Sequence, residues 1–187
     1  MRRQLSANSR GANNRLRQSE EQVARLEEQL RASAHEAIRN GETGLFSTAY
    51  FHARLQDEIG RSERYRHFLT LVLIHLELSD PSTTGRLSAE LALIGDQMKR
   101  VLLRGSDLLA LYRHSQLVIL LPETDERGAR TLIKRLRPIF PVNGRRVTYS
   151  TLNYPHDASN IELLLNRLQD HSENLLHSAN SIHLRNG

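Results

Sequence analysis

The stretch "ALYRHSQLVILLPETD", residues 110–125, constrains the fold more than any other part of the chain. It reads as a strand, a short polar interruption and a second strand closed by Pro122. The two apolar runs, "DLLALY" (107–112) and "QLVILL" (116–121), have strand length and are expected to lie side by side in a sheet. Between them stands "RHSQ", with no glycine, asparagine, aspartate or proline to ease a tight turn. What occupies that turn, and why, is the question this sequence poses.

The flanking pattern places the hairpin among helices. "STAYFHARLQDEIGRSERYR" (47–66) has helical apolar spacing through Ala49, Phe51, Leu55 and Ile59. "FLTLVLIHLEL" (68–78) reads as a buried strand, and "RLSAELALIGDQMKRVLL" (86–103) as a helix. After the hairpin come a helix over 125–139 stopped near Pro138, and an Asn143-Gly144 hairpin signal. A strand over 145–152 and a closing helix over 159–179, with Ser159 as its cap, complete the order. The expected class is α+β, a sheet with helices on its faces. Hydrophobic residues make up 39% of the 187, enough for a core of that size.

The N-terminal part is different. Residues 1–14 are rich in Arg, Ser, Asn and Gly, lack an apolar period, and are expected to form a basic disordered arm. From Leu16 the sequence turns heptad-like, with Leu16, Val23, Leu30 and Ala37 seven apart and Ser19, Leu26 and Ser33 between them. A coiled-coil helix over 15–39 is expected to pair with its copy in a homodimer. A lone amphipathic helix lying on its own domain is the alternative. The globular domain is then 40–187.

Composition removes several function classes. No cysteine is present, so disulfides, thiol nucleophiles and zinc–thiolate sites are excluded. No apolar run approaches membrane-spanning length, and "MRRQLSANSR" lacks the apolar stretch of a secretory signal. A cytoplasmic location is expected. The net charge of +5 favours anionic partners. The nine histidines form no His-x-x-x-His pair, so neither metal nor other cofactor is expected.

The order of these segments, and several of the segments themselves, resemble the GGDEF family of diguanylate cyclase domains over about residues 39–181. "TGLFSTAYFHARLQDEIGRSERY" is similar to the family's opening, "LTLVLIHLEL" to its first core strand, and "LLPETDERGARTLIKRLRPI" to the stretch after its signature. "VTYSTLNYPHD" resembles the strand that runs into Tyr-Pro-x-Asp. By this resemblance the signature Gly-Gly-Asp/Glu-Glu-Phe falls on Arg113, His114, Ser115, Gln116 and Leu117, and only Leu117 keeps the family's apolar character.

The resemblance implies that catalysis is lost. Joining two GTP molecules needs metal ions held by carboxylates. The family's metal positions fall on His75 and Ser115, leaving Glu77 as a single acid. The glycines that let phosphates approach are replaced by Arg113 and His114. The guanine-reading Asn and Asp have no match in register within "SDPSTTG" (79–85), and a family lysine is replaced near Leu176.

The resemblance also implies a retained site. Arg104-Gly105-Ser106-Asp107 matches the family's Arg-x-x-Asp inhibitory motif, which binds cyclic di-GMP, and "LLALY" gives the family spacing to the signature. A second family arginine falls on Arg135, with Arg137 as its neighbour. An arginine fork matches the O6/N7 edge of guanine, and a carboxylate accepts from its N1–H and N2–H. The expected function is a non-catalytic cyclic di-GMP receptor. Its rivals are a ligand-independent dimerisation or docking scaffold and a divergent enzyme on another nucleotide. A protein partner of unknown identity is expected in either non-catalytic case.

Overall fold

The structure is a computed structural model and describes residues 22, 23, 25, 37–76, 84–101, 104–140 and 147–183. The chain separates into residues 1–37 and 38–187, and the fold described is that of the second unit. Of the heptad positions, Leu16 and Leu30 lie outside the described residues, as does the arm over 1–14. Val23 and Ala37 are exposed.

The elements run α1 (Thr48–Tyr65), β1 (Leu69–Leu76), α2 (Thr84–Val101), β2 (Leu108–Arg113), β3 (Gln116–Pro122), α3 (Glu126–Leu136), a 3-10 turn (Arg137–Ile139), β4 (Val147–Tyr154) and α4 (Ile161–His183). Among the described residues the strands form a four-stranded sheet in the order β2-β3-β1-β4, and these strand pairings are antiparallel. This is the expected α+β architecture, a central antiparallel sheet flanked by helices.

β1 and β3 are buried along their whole length, because both faces of the sheet are covered. On one face Val72, Ile74, Leu117 and Ile119 meet Leu91, Ile94 and Met98 of α2 and Leu132 of α3. On the other, Leu71, Leu73, Val118 and Leu120 meet Phe51 and Leu55 of α1 and Leu164 and Leu168 of α4. An unbroken apolar run is what a strand covered on both faces requires. Thr70 and His75 are the polar exceptions in β1. The Thr70 hydroxyl bonds the Thr124 carbonyl (2.7 Å) and Asn153 Oδ1 (2.8 Å), so its burial leaves no orphan.

Helix ends follow local chemistry. Ser47 Oγ accepts from Tyr50 N–H at the start of α1, and Asp125 Oδ1 from Gly128 N–H at the start of α3. The expected cap of the last helix is corrected by one residue. Asn160 Oδ1, not Ser159, accepts from Leu163 N–H (2.8 Å), because α4 begins at Ile161. The last strand is described over Val147–Tyr154 and runs two residues past the expected end at 152, while residues 143–146, with the Asn143-Gly144 signal, lie outside the described residues. Pro138 falls in the 3-10 turn that follows α3.

Before α1, residues 38–47 form a hairpin loop that lies along β2. Gly44 has φ +65°, the left-handed backbone that favours glycine, and its N–H donates to Asn40 C=O (2.8 Å). Leu111 N–H then donates to Phe46 C=O (2.9 Å), which covers part of the β2 edge. Gly95 of α2 allows Leu45 to sit against the helix. A Cβ there would lie 2.4 Å from Leu45 Cδ2.

Candidate functional site

The β2–β3 hairpin carries both regions singled out from sequence, one at each end. β2 has six residues, so its ends lie about 20 Å apart at strand rise.

At the hairpin end, the "RHSQ" question resolves into contacts. His114 and Ser115 make the turn without positive φ, so it is not the glycine-dependent mirror-image kind. The extra residue is taken up next door: pairing shifts by one between Leu111 and Arg113, leaving Tyr112 as a bulge. Arg113 reaches Glu173 of α4 (3.6 Å) and its guanidinium lies 6.0 Å from the Tyr112 ring. Ser115 is buried with its hydroxyl 3.3 Å from His75 Nδ1. Gln116 is fully buried and pairs reciprocally with Ser172 of α4. Its Nε2 donates to Ser172 C=O (2.9 Å) and its Oε1 accepts from Ser172 Oγ (2.5 Å). Leu117 is fully buried in the core. His114 alone is exposed.

His75 and Ser115, the two positions matched to metal ligands, are therefore brought together. They offer an imidazole and a hydroxyl that are engaged with one another. A hard divalent cation wants several anionic oxygens, so this donor set does not fit one. Among the described residues no group of three or more His, Asp, Glu or Cys side chains is gathered anywhere. Glu77 and residues 79–83 lie outside the described residues. Leu176 is half-buried on α4.

A cleft of about 450 Å³ opens beside this end, lined by Asn40, Glu42, Thr43, Ser88, Tyr112, Arg113 and His114 among others. Ser88 Oγ donates to Glu42 Oε2 across its rim (2.7 Å). Arg104, Asp107 and Arg135 do not line it.

At the other end, Arg104–Asp107 forms a closed turn before β2. Arg104 N–H donates to Asp107 Oδ2 (2.7 Å), and Asp107 N–H returns to Arg104 C=O (3.1 Å). The aspartate thus holds its own turn with one oxygen. Its Oδ1 accepts a long hydrogen bond from Ser106 Oγ, at 3.5 Å. Burial pushes the Asp107 carboxyl above the usual carboxylate range, while the Arg104 N–H and the guanidinium charge pull it back. Arg104 is exposed. Arg135 is exposed in the last turn of α3, a helix that packs against β1 and β4, whereas the turn leads into β2 at the opposite edge. Arg137, its neighbour, stands in the 3-10 turn. Arg104 and Asp107 are brought together, and Arg135 sits on a separate element.

The Ser172 and Glu173 contacts were not foreseen from sequence, although a signal exists. Leu164, Leu168 and Ser172 fall on one helical stripe, four apart, and a serine on an apolar stripe marks a buried polar partner. Ser172→Ala is expected to cost about 1–3 kcal/mol by leaving Gln116 Oε1 without that donor. A lower urea midpoint at unchanged slope would check it, and an unchanged midpoint would count against the pair.

No protein-family model matches the chain, and no curated protein matches it. Solved structures do. The GGDEF domain of FimX from Pseudomonas aeruginosa is 17% identical with a TM-score of 0.61, over 73% of this chain and 92% of that one. The coiled coil and GGDEF domain of DgcB from Caulobacter crescentus, in complex with c-di-GMP, is 16% identical with a TM-score of 0.58, over 75% and 82%. The diguanylate cyclase SiaD of Pseudomonas aeruginosa, in complex with its activator SiaC, is 22% identical with a TM-score of 0.57, over 96% and 75%. At these identities the likeness establishes the fold. The chain has the fold of GGDEF domains, and no helix among the described residues is long and apolar enough to cross a membrane.

Proposed function

We propose that this domain binds cyclic di-GMP at the Arg104–Asp107 turn and does not make it. The observation that carries the proposal is the geometry of that turn. Asp107 is fixed by Arg104 N–H through Oδ2, and Oδ1, which takes only the long Ser106 hydroxyl contact of 3.5 Å, is the oxygen that would accept from guanine N1–H and N2–H. The exposed Arg104 guanidinium supplies the complementary fork for O6 and N7. Arg135, on a separate helix, adds positive charge that favours the ligand's phosphates. The DgcB structure is a GGDEF domain with c-di-GMP bound, which makes the ligand class chemically reasonable for this fold.

Loss of synthesis is supported by the same fold. Where carboxylates would hold metal, His75 and Ser115 bond each other, and Arg113 and Gln116 are tied to α4. Purified protein given GTP with Mg²⁺ or Mn²⁺ is expected to yield no cyclic di-GMP. Product that disappears on Glu77→Ala would overturn this. The N-terminal helix is proposed to pair two copies, raising the local concentration of a bridging ligand. Removing residues 1–38 should then lower the mass found by light scattering, and a full-length monomer at tens of micromolar would refute it.

Binding should also depend on pH. The acceptor role requires the ionised carboxylate, and the ligand's N–H donors favour that form. Affinity is therefore full above the Asp107 pKa of the free protein and falls as pH drops through it. Because burial raises that pKa, the loss should begin at higher pH than for an ordinary aspartate. Calorimetry across the acid range would show it, and Asp107→Asn should abolish the dependence.

A specific observation favours the scaffold as second choice. The side chains replacing the signature are bonded to α4 and β1, as a purely structural hairpin would be.

A further inference from the structure

Among the described residues β4 is an edge strand, and two contacts reveal which of its backbone groups face out. Asn153 N–H donates to Asp157 Oδ2 (2.7 Å), and Asn153 C=O accepts from Asp157 N–H (2.7 Å). Asn153 therefore turns away from β1. At the other end, Leu76 pairs in register with Val147 but sends its N–H to Ser115 C=O (2.9 Å), on the β3 side. That pair exchanges no backbone bonds either. In an antiparallel ladder this phase repeats at every second residue. Val147, Tyr149 and Thr151 thus point N–H and C=O outward, and no partner for them occurs among the described residues. Asp157 closes the edge at Asn153, so the open part is 147–151.

Proteins guard such edges with charge, proline or a bulge. The described stretch Val147–Thr151 has none of them. "VTYST" is uncharged and without proline, and β4 pairs with β1 in unbroken register. Its β-branched and aromatic residues suit a paired strand.

We propose that this edge pairs antiparallel with the same edge of a second copy, about a two-fold axis through Tyr149. The outward residues read Val, Tyr, Thr, which is nearly palindromic in shape. In that register Tyr149 faces its own copy, and Val147 faces the closely isosteric Thr151 of the second copy. Thr148 faces Ser150, and no like charges oppose. A register shifted toward the C-terminus meets the Asp157 closure and loses bonds. The two sheets join into one. A strand edge alone buries less than the roughly 1,200 Å² of a stable interface, so the pairing is weak and concentration-dependent.

The test exploits the absence of cysteine. Opposed residues of a hydrogen-bonded antiparallel pair have Cα atoms about 5.5 Å apart, within disulfide reach. Tyr149→Cys in the full chain, mildly oxidised at high concentration, is expected to form a covalent dimer at least about tenfold faster than Arg130→Cys, which is exposed on α3. Adding Thr151→Pro removes an outward N–H that β1 does not use, so it should suppress the cross-link at least about tenfold with unchanged circular dichroism. Equal rates for Tyr149→Cys and Arg130→Cys, or no effect of Thr151→Pro, would overturn the proposal. Amide exchange in the unsubstituted protein decides the case should proline unfold it. The Val147, Tyr149 and Thr151 amides should slow at least about tenfold at high protein concentration while Ser150 and Leu152 stay protected throughout. Concentration-independent exchange would equally overturn it.

Discussion

Phe51→Ala is expected to destabilise the domain by about 3–5 kcal/mol, the range for emptying a fully buried aromatic site. Phe51 has no exposed surface and belongs to the core beneath α1 and α4. Its ring also stands edge-on to Tyr112, 6.3 Å away, at the bulge beside the hairpin. The change should therefore loosen the "RHSQ" turn as well as lower stability. Chemical unfolding gives the first effect, and amide exchange at Arg113–Gln116 the second. A cost below about 1 kcal/mol would mean that the core collapses to fill the space and that Phe51 does not brace the hairpin.

Arg104→Ala is expected to weaken cyclic di-GMP binding by about 10- to 100-fold, the loss of one bidentate guanine contact worth roughly 1–3 kcal/mol. The fold should survive, because the turn is closed by backbone N–H, backbone C=O and the Asp107 carboxylate. None of these needs the Arg104 side chain. Asp107→Ala should weaken binding too, but it also opens the turn, so its effect mixes recognition with structure. Arg135→Ala should cost less, since it contributes charge from a separate helix. Raising salt should weaken wild-type binding through the phosphates. Equal losses for Arg104→Ala and Arg135→Ala would point to nonspecific attraction of an anion.

How much of this was legible in the sequence varies with how local the determinant is. The strands of the hairpin and β1 could be read directly, because a strand covered on both faces is apolar along most of its length. Helices α1 and α3 were legible, α1 from its apolar period and α3 from the segment that Pro138 closes. Ser159 and Asn160 are both good caps, and only the observed start of α4 separates them. The bulge at Tyr112 was not legible, since it depends on the register of β2 against β3 rather than on local composition. The roles of Arg113, Ser115 and Gln116 were hidden for a related reason. Their partners Glu173, His75 and Ser172 are 40 or more residues away. Only the serine on the α4 stripe hinted at them. The resemblance assigned His75 and Ser115 to one locus, and the fold puts the two side chains in contact.

The central claim is that ligand recognition persists at Arg104–Asp107 although the hairpin has become a structural turn. The most direct measurement is calorimetric titration of cyclic di-GMP into the full chain, in parallel with Arg104→Ala and Arg113→Ala. Saturable binding is predicted for the wild type, weakened at least about tenfold by Arg104→Ala and little changed by Arg113→Ala. No saturable heat for the wild type, or binding that survives Arg104→Ala and fails with Arg113→Ala, would contradict it.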